Sequence, residues 1–278
     1  MIRTTSVKGG LRSKLISAVM TIFAGTLLSA AAQATPVQDT YIGGVANYGG
    51  VDVIGDAAEF DIMSMDAKRV GSHLQVTMNT NFAGESGQYK AYTKNGKGIG
   101  YGDLFLANDW TPFGSDPAHR ADTAYNGTHW RYGFSLNDSV AKYDRYHNNG
   151  GTGFLYALNG KDNDADAYMS DDFLKNAIWR NDQVVAVDRN SQTIKKLGAG
   201  TWDVDIKNKT VSFDFDLTGT TLLNDSTLAL HWDMMCANDV IEGVVRVPVG
   251  VPAPETAPLM AAGAIALVLV RRRRPAKR

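Results

Sequence analysis

The chain has 278 residues, a formal net charge of −1 and a single cysteine, Cys236. One cysteine excludes an intramolecular disulfide, so stability has to come from a packed core or a bound ion. The charge is unevenly placed: residues 35–248 hold 18 of the 28 Lys and Arg but 28 of the 29 Asp and Glu, close to −10 for the body, which argues against nucleic acid as a partner because phosphate contacts need Lys and Arg.

The first predicted element is a leader over residues 1–34. Arg3, Lys8, Arg12 and Lys14 precede an uncharged stretch from Leu15 to Ala34 that ends in Ala32-Gln33-Ala34. A basic region, an apolar helix and a small-residue site are the parts of a secretory signal peptide. Cleavage is expected between Ala34 and Thr35, and export through the inner membrane follows from it.

The body, residues 35–248, reads as β-structure. His73–Thr80 alternates Leu74, Val76 and Met78 with Gln75, Thr77 and Asn79, the two-residue period of a half-buried strand. Tyr101–Leu106, Trp130–Phe134 and the apolar run Gln183–Asp188 are further candidates. Trp202–Ile206 and Val211–Leu217 alternate around the polar spacer Lys207-Asn-Lys-Thr210 and predict a hairpin. Leu228–Met234 alternates again. Helix signals are few; Ser170–Trp179 predicts one or two turns with Ser170 as N-cap. Short strands joined by Gly-, Asn- and Asp-rich loops at 43–55, 83–100, 116–128 and 148–166 predict a single all-β domain, a β-sandwich of the jelly-roll kind seen in lectins and carbohydrate-binding domains.

Three groups in the body carry candidate chemistry. Asp162, Asp164 and Asp166 space carboxylates two apart in a loop, which suits Ca²⁺ as a candidate cofactor, although Ala167 and Phe173 stand where an EF-hand loop needs Gly and Glu. Asp203, Asp205, Asp214 and Asp216 fall on one face of the predicted hairpin, either as a solvated polar face or as an acid–base set. Trp110, Trp130 and Tyr132 lead a run of aromatics mixed with polar residues, which suits a saccharide platform and equally suits core packing. The five histidines lack metal-ligand spacing, and neither a nucleophile elbow nor a phosphate loop is present.

The last predicted element is a tail, residues 249–278. Val251-Pro-Ala-Pro-Glu-Thr256 is followed by the uncharged stretch 257–270 and by a basic stop, 271–278, that opens with Arg271, Arg272, Arg273 and Arg274. Fourteen apolar residues span roughly 21 Å as a helix, short of the about 30 Å of a bilayer core. The arginines are expected to stay on the cytoplasmic side, giving a transient insertion suited to removal. The order of motif, apolar helix and basic stop resembles the PEP-CTERM sorting signal, with Pro252, Pro254 and Glu255 in the motif and Thr256 where the family has a second Pro. Tyr41-Ile-Gly-Gly44, Asp52–Ile62, Gly102–Leu106 and His231–Gly243 are likewise similar to segments of exported proteins of that kind. The resemblance implies processing by an exosortase-like membrane protease as partner, and delivery to the outer surface or extracellular matrix among exopolysaccharide.

Two functions are therefore expected for the body. One is a non-catalytic surface or matrix module that associates with exopolysaccharide. The other is a secreted glycan hydrolase that uses an Asp/Glu pair in a cleft.

Overall fold

A computed structural model of the chain describes residues 35–44, 50–94, 96–136, 149–175 and 180–249. The expected signal helix, the residues Ala32 and Ala34 of its cleavage site, and the whole sorting tail lie outside the described residues. Among the described residues, no helix is long and apolar enough to cross a membrane.

Strand formation follows the two-residue period. β2 (Ile62–Val70) and β3 (His73–Thr80) form a hairpin turned at Gly71, whose φ of 64° favours a residue without a side chain. β3 sends Leu74, Val76 and Met78 into the core at 0% exposure and leaves Gln75 and Thr77 on the other face. β9 (Lys195–Asp205) and β10 (Thr210–Asp216) form the expected hairpin, with Trp202 opposite Phe213 and Val204 opposite Val211. β4 (Leu104–Ala107), β5 (Tyr132–Ser135) and β6 (Gly150–Ala157) make an antiparallel meander. β11 (Thr227–Asp233) pairs with β12 (Val240–Arg246) and with β4. β1 (Val37–Gln38) is a short edge strand on β2.

These ten strands are hydrogen-bonded into one antiparallel sheet in the order β1-β2-β3-β10-β9-β6-β5-β4-β11-β12. The sheet curls until its ends meet. β12 lies against β1 and β2, and a Cβ added to Gly243 would come within 3.1 Å of Val37. The Asp239 carboxylate at the start of β12 accepts the Ile62 N–H of β2 at 2.6 Å. The all-β expectation is met. The hydrogen bonds describe one continuous antiparallel sheet, nearly closed into a barrel, and do not by themselves divide it into the two layers of a sandwich. Alternation alone cannot distinguish a barrel from a sandwich, since both bury every second residue.

Side chains fill the inside of the sheet. Trp232, Phe213, Phe215, Phe134 and Tyr101 are buried together, with Phe134 stacked on Phe215 at 4.6 Å. The interior is a packed core. A second, smaller core lies outside the barrel wall. There a two-stranded sheet, β7 (Ala167–Met169) with β8 (Val184–Val187), covers β4 and β5 and encloses Phe105, Trp130, Tyr156 and Val187. The approach is close enough to require Gly133, where a Cβ would meet Val187 at 2.4 Å. Val187 N–H donates to the Asp103 carboxylate at 2.8 Å and fixes the cover to the wall.

Two local expectations are corrected. The helix predicted from Ser170 is one turn, α2 (Ser170–Phe173), after which Leu174 is extended and bridges to Thr93. Ser170 does not cap it; its hydroxyl donates to the Arg180 carbonyl at 2.7 Å. Residues 176–179 lie outside the described residues. The loop expected over 148–166 contains β6, whose glycines read as turn residues. Gly153 is instead needed in the strand, where a Cβ would meet the Phe134 ring at 2.4 Å.

Candidate functional site

A cavity lies where two loops meet, the one before β2 and the one after β3. The first loop carries α1 (Ala57–Phe60). Asp56 caps it by accepting the Ala58 N–H at 2.9 Å, and Asp61 turns extended to end it and start β2. One turn places Phe60 inward against the core and Glu59 and Asp56 on the open side. The second loop spans 83–100. Its ends are tied by Gly87 N–H to Ile99 O and Ile99 N–H to Gln88 O, both at 2.8 Å. Gly98, at φ 97°, lets the two arms touch: a Cβ there would be 2.3 Å from the Gly87 carbonyl oxygen. This clamp holds up Tyr89 and Tyr92 on a single 3₁₀ turn.

The cavity has a volume of about 240 Å³ and is walled by Phe60, Tyr89, Tyr92, Ile99 and Cys236, with Asp56, Glu59 and Asn238 as its polar groups. The Phe60 and Tyr89 rings are 5.2 Å apart and the Tyr89 and Tyr92 rings 6.5 Å apart. Tyr92 is 43% exposed, unusual for an aromatic of this size set beside a cavity. Tyr89 sits at φ 61°, ψ 34°, a left-handed conformation that costs a side-chain-bearing residue roughly 1–2 kcal/mol. Such strain persists where the surroundings enforce it, often at ligand sites. The volume is just under the roughly 300–1,000 Å³ of drug-sized sites and fits one ring-sized group. Burial pushes the Cys236 thiol far above its ordinary range, so it serves as apolar wall and not as a nucleophile.

Directly behind Asn238 lies a partly buried charged cluster. Arg180 is enclosed, and all of its nitrogens donate to main-chain carbonyls: Nε to Ala237 at 3.3 Å, and the terminal nitrogens to Ile42, Gly43, Val51 and Asp52. One side chain thus ties three loop segments together. Around it stand Asp39, Asp52 and Asp239, each offering an oxygen within 4.8 Å of the others, which is close enough to hold a metal ion. Burial, then the charges of Asp239 and Asp52, raise Asp39 to about 10. Burial raises Asp239 to about 7, against the Ile62 and Val240 N–H groups that it accepts. Arg180 supplies positive charge to all three.

A second buried network lies on the outer face of β11 and β12, under the β8 cover. His231 meets Glu242 at 3.0 Å through Nδ1 and the Val184 carbonyl at 2.9 Å through Nε2. Both ring nitrogens face acceptors, so the ring is held as imidazolium. Burial works against that charge, but the Glu242 hydrogen bond and the nearby Asp233 outweigh it and raise the pKa. Asp233 is fully buried, finds no hydrogen-bond partner for either oxygen among the described residues, and is pushed well up by desolvation. The His231 and Glu242 side chains are almost without exposure to solvent.

The candidates named from the sequence fall elsewhere. Trp130 is buried in the small outer core, 5.4 Å from the His231 ring. Tyr132 is buried on β5, with its hydroxyl against Thr221. Trp110 is half-buried and donates its indole N–H to Glu242 at 2.7 Å. Trp110 and Trp130 pack around the His231–Glu242 pair, whereas Tyr132 belongs to the barrel core, so the three do not share one open surface. In the expected calcium loop, Asp162 and Asp164 are exposed, whereas Asp166 is buried and accepts from Gly160, Ser191 and Thr193. These three carboxylates do not converge as a ligand set. The four hairpin aspartates do share the outer face of β9 and β10, but the register sets Asp203 opposite Ser212 and Asp214 opposite Thr201, so no two are paired across the ladder. Thr35 is exposed at the start of the described body, and the tail residues Pro252, Pro254, Glu255, Thr256 and Arg271–Arg274 lie outside the described residues.

Sequence reading missed the Tyr89–Tyr92 pocket because it began the aromatic run at Tyr101. The available signal was two tyrosines inside a Gly-rich polar loop, where core packing has no use for them.

No protein-family model matches the chain, and neither curated proteins nor solved structures give a match. The functional reading therefore rests on residues and geometry alone.

Proposed function

We propose that this protein is an exported, non-catalytic surface or matrix protein whose β-barrel body binds saccharide in the Phe60–Tyr89–Tyr92 pocket. The observation that carries the reading is the pocket itself: aromatic rings presented on a clamped loop, one of them strained, beside two carboxylates and an amide. Sugars need this combination of apolar faces and directed hydrogen bonds. The pocket replaces the Trp110, Trp130 and Tyr132 platform expected from the sequence. The reading needs no calcium, because Asp56, Glu59 and the aromatic rings supply the pocket's contacts. The leader-like N-terminus and the tail resembling a PEP-CTERM signal support export, processing by an exosortase-like protease after transient membrane insertion, and a final place among exopolysaccharide.

A jelly-roll relationship to lectins is not needed for this reading. The alternative, a glycan hydrolase, is favoured only by the presence of Asp56 and Glu59 on the same cavity. Against it, the Asp56 carboxylate is engaged as the cap of α1.

The test has two parts. Intact mass of the protein recovered from its producing cells should begin at Thr35 and lack the residues after about Thr256; an intact C-terminus in the membrane fraction contradicts the sorting pathway. A glycan array of that material should show binding, without release of reducing ends, that Tyr92→Ala weakens. Binding indifferent to Tyr92→Ala contradicts the pocket, and release of reducing ends establishes the hydrolase.

A further inference from the structure

The pocket's charged groups are all of one sign. Asp56 and Glu59 are carboxylates, and no Lys, Arg or His is among the residues lining it. Asn238 is nine-tenths buried in the same wall, and its Oδ1 has no hydrogen-bond partner among the described residues. Asn238 leads directly into Asp239, so the Asp39–Asp52–Asp239 cluster lies immediately behind that wall with Arg180 as the cation beside it. The charged side chains a ligand meets in the pocket are therefore the two carboxylates, Asp56 and Glu59.

The aromatic walls point the same way. Phe60, Tyr89 and Tyr92 offer π-faces whose quadrupoles attract a cation within about 6 Å of a ring centroid, and three neighbouring rings beside carboxylates make a cage for an ammonium group. A uronic acid or a phosphorylated sugar would bring a second negative charge into this space and be rejected. A neutral sugar would leave the carboxylates without a charged partner.

Resting on the saccharide reading above, we propose that the pocket selects an amino sugar bearing a free, protonated amine, such as a deacetylated hexosamine unit of an extracellular polysaccharide, with the ammonium held by Glu59 and Asp56 over the Tyr89 and Tyr92 rings. The volume of about 240 Å³ takes one such unit, with the rest of the polymer outside. The single-unit pocket makes the protein a reader of local deacetylation along a chain, and it gives the acidic body a reason to seek a cationic polymer.

The experiment is a calorimetric titration of the full-length mature protein with chitosan oligomers, the fully acetylated oligomers of the same length, and choline. The expected result is an affinity for the deacetylated oligomer at least about tenfold above the acetylated one, falling with added salt. Glu59→Gln should abolish that preference by weakening the deacetylated oligomer more than the acetylated one, and Tyr92→Ala, at an exposed position, should weaken both. Equal binding of the two oligomers, or preference for the acetylated one, overturns the ammonium inference and leaves the saccharide reading standing. Choline binding as tightly as the deacetylated oligomer overturns the sugar as the source of the ammonium. No binding of any oligomer overturns this inference and the saccharide reading together.

Discussion

His231 and Glu242 face each other across the β11–β12 ladder, and their side chains meet at 3.0 Å with almost no exposure to solvent. The β8 cover exists largely to keep this pair dry, since the second His231 nitrogen is satisfied by Val184 O. Removing one member leaves a buried charge without its partner. Glu242→Leu should therefore cost about 3–5 kcal/mol in urea denaturation, while the His231→Leu, Glu242→Leu double variant should cost much less than the sum of the two single changes. The sign with pH follows from the raised His231 pKa. Its stabilisation is fully present below the ordinary histidine value of about 6.5 and is lost as pH rises through the higher folded value. Additive single variants would show the pair to be uncoupled.

Arg180 is predicted to be the most sensitive side chain in the loop end of the barrel. Lysine carries the same charge but has three donors on one atom and cannot span the carbonyls of Ile42, Gly43, Val51, Asp52 and Ala237. Arg180→Lys should lower stability by about 3 kcal/mol or more, and amide hydrogen exchange should show loss of protection at Ile42 and Ile54 first. A variant within about 0.5 kcal/mol of the parent would contradict the role.

Asp39 and Asp239 give the opposite pH slope to a salt-bridged carboxylate. Their folded values, about 10 and about 7, exceed the ordinary carboxylate value, so the native state binds more protons than the unfolded chain above about pH 4. The stabilisation is full below that pH and declines as pH rises, through about 7 for Asp239 and on toward 10 for Asp39. Thermal midpoints of the parent should fall between pH 5 and 9, and Asp39→Asn should flatten the fall and stabilise the protein at pH 9. A parent midpoint that rises over this range would contradict the assignment.

Tyr89 trades stability for function. Tyr89→Gly relieves the left-handed strain of roughly 1–2 kcal/mol but gives up a half-buried ring. The two effects nearly cancel, so the unfolding midpoint should stay within about 1 kcal/mol of the parent while saccharide binding is lost. Retained binding would show that the ring is not part of the site.

The strands with strict alternation were legible because one face of each is buried. β3 falls at His73–Thr80 as the pattern predicts, and the β9–β10 hairpin forms as expected with its turn one residue earlier, at 206–209, so that Thr210 joins β10 opposite Asp205. β6 was illegible because its glycines serve close packing under Phe134, and a glycine required by sterics reads like a glycine in a turn. β12 was hidden for another reason: both of its faces are mostly covered, by the barrel core and by the outer network, so Val240–Gly243 shows no alternation. The pocket depends on loops separated in sequence, with Glu59, Tyr92 and Asn238 brought together only by the closing of the sheet. The charge balance of the body was legible; the convergence of Asp39, Asp52 and Asp239 on Arg180 needed the same closure.

The most direct measurement is a crystal structure of the mature protein with a bound oligosaccharide. The account predicts one sugar unit stacked on Tyr92 and Tyr89, within hydrogen-bond distance of Glu59 and Asp56, at the end of the barrel where Asn238 forms the wall. A sugar bound elsewhere, such as the shallow groove between Lys68, Asp203 and Asp214 on the outer face, with the Tyr89–Tyr92 pocket filled only by water, would contradict it.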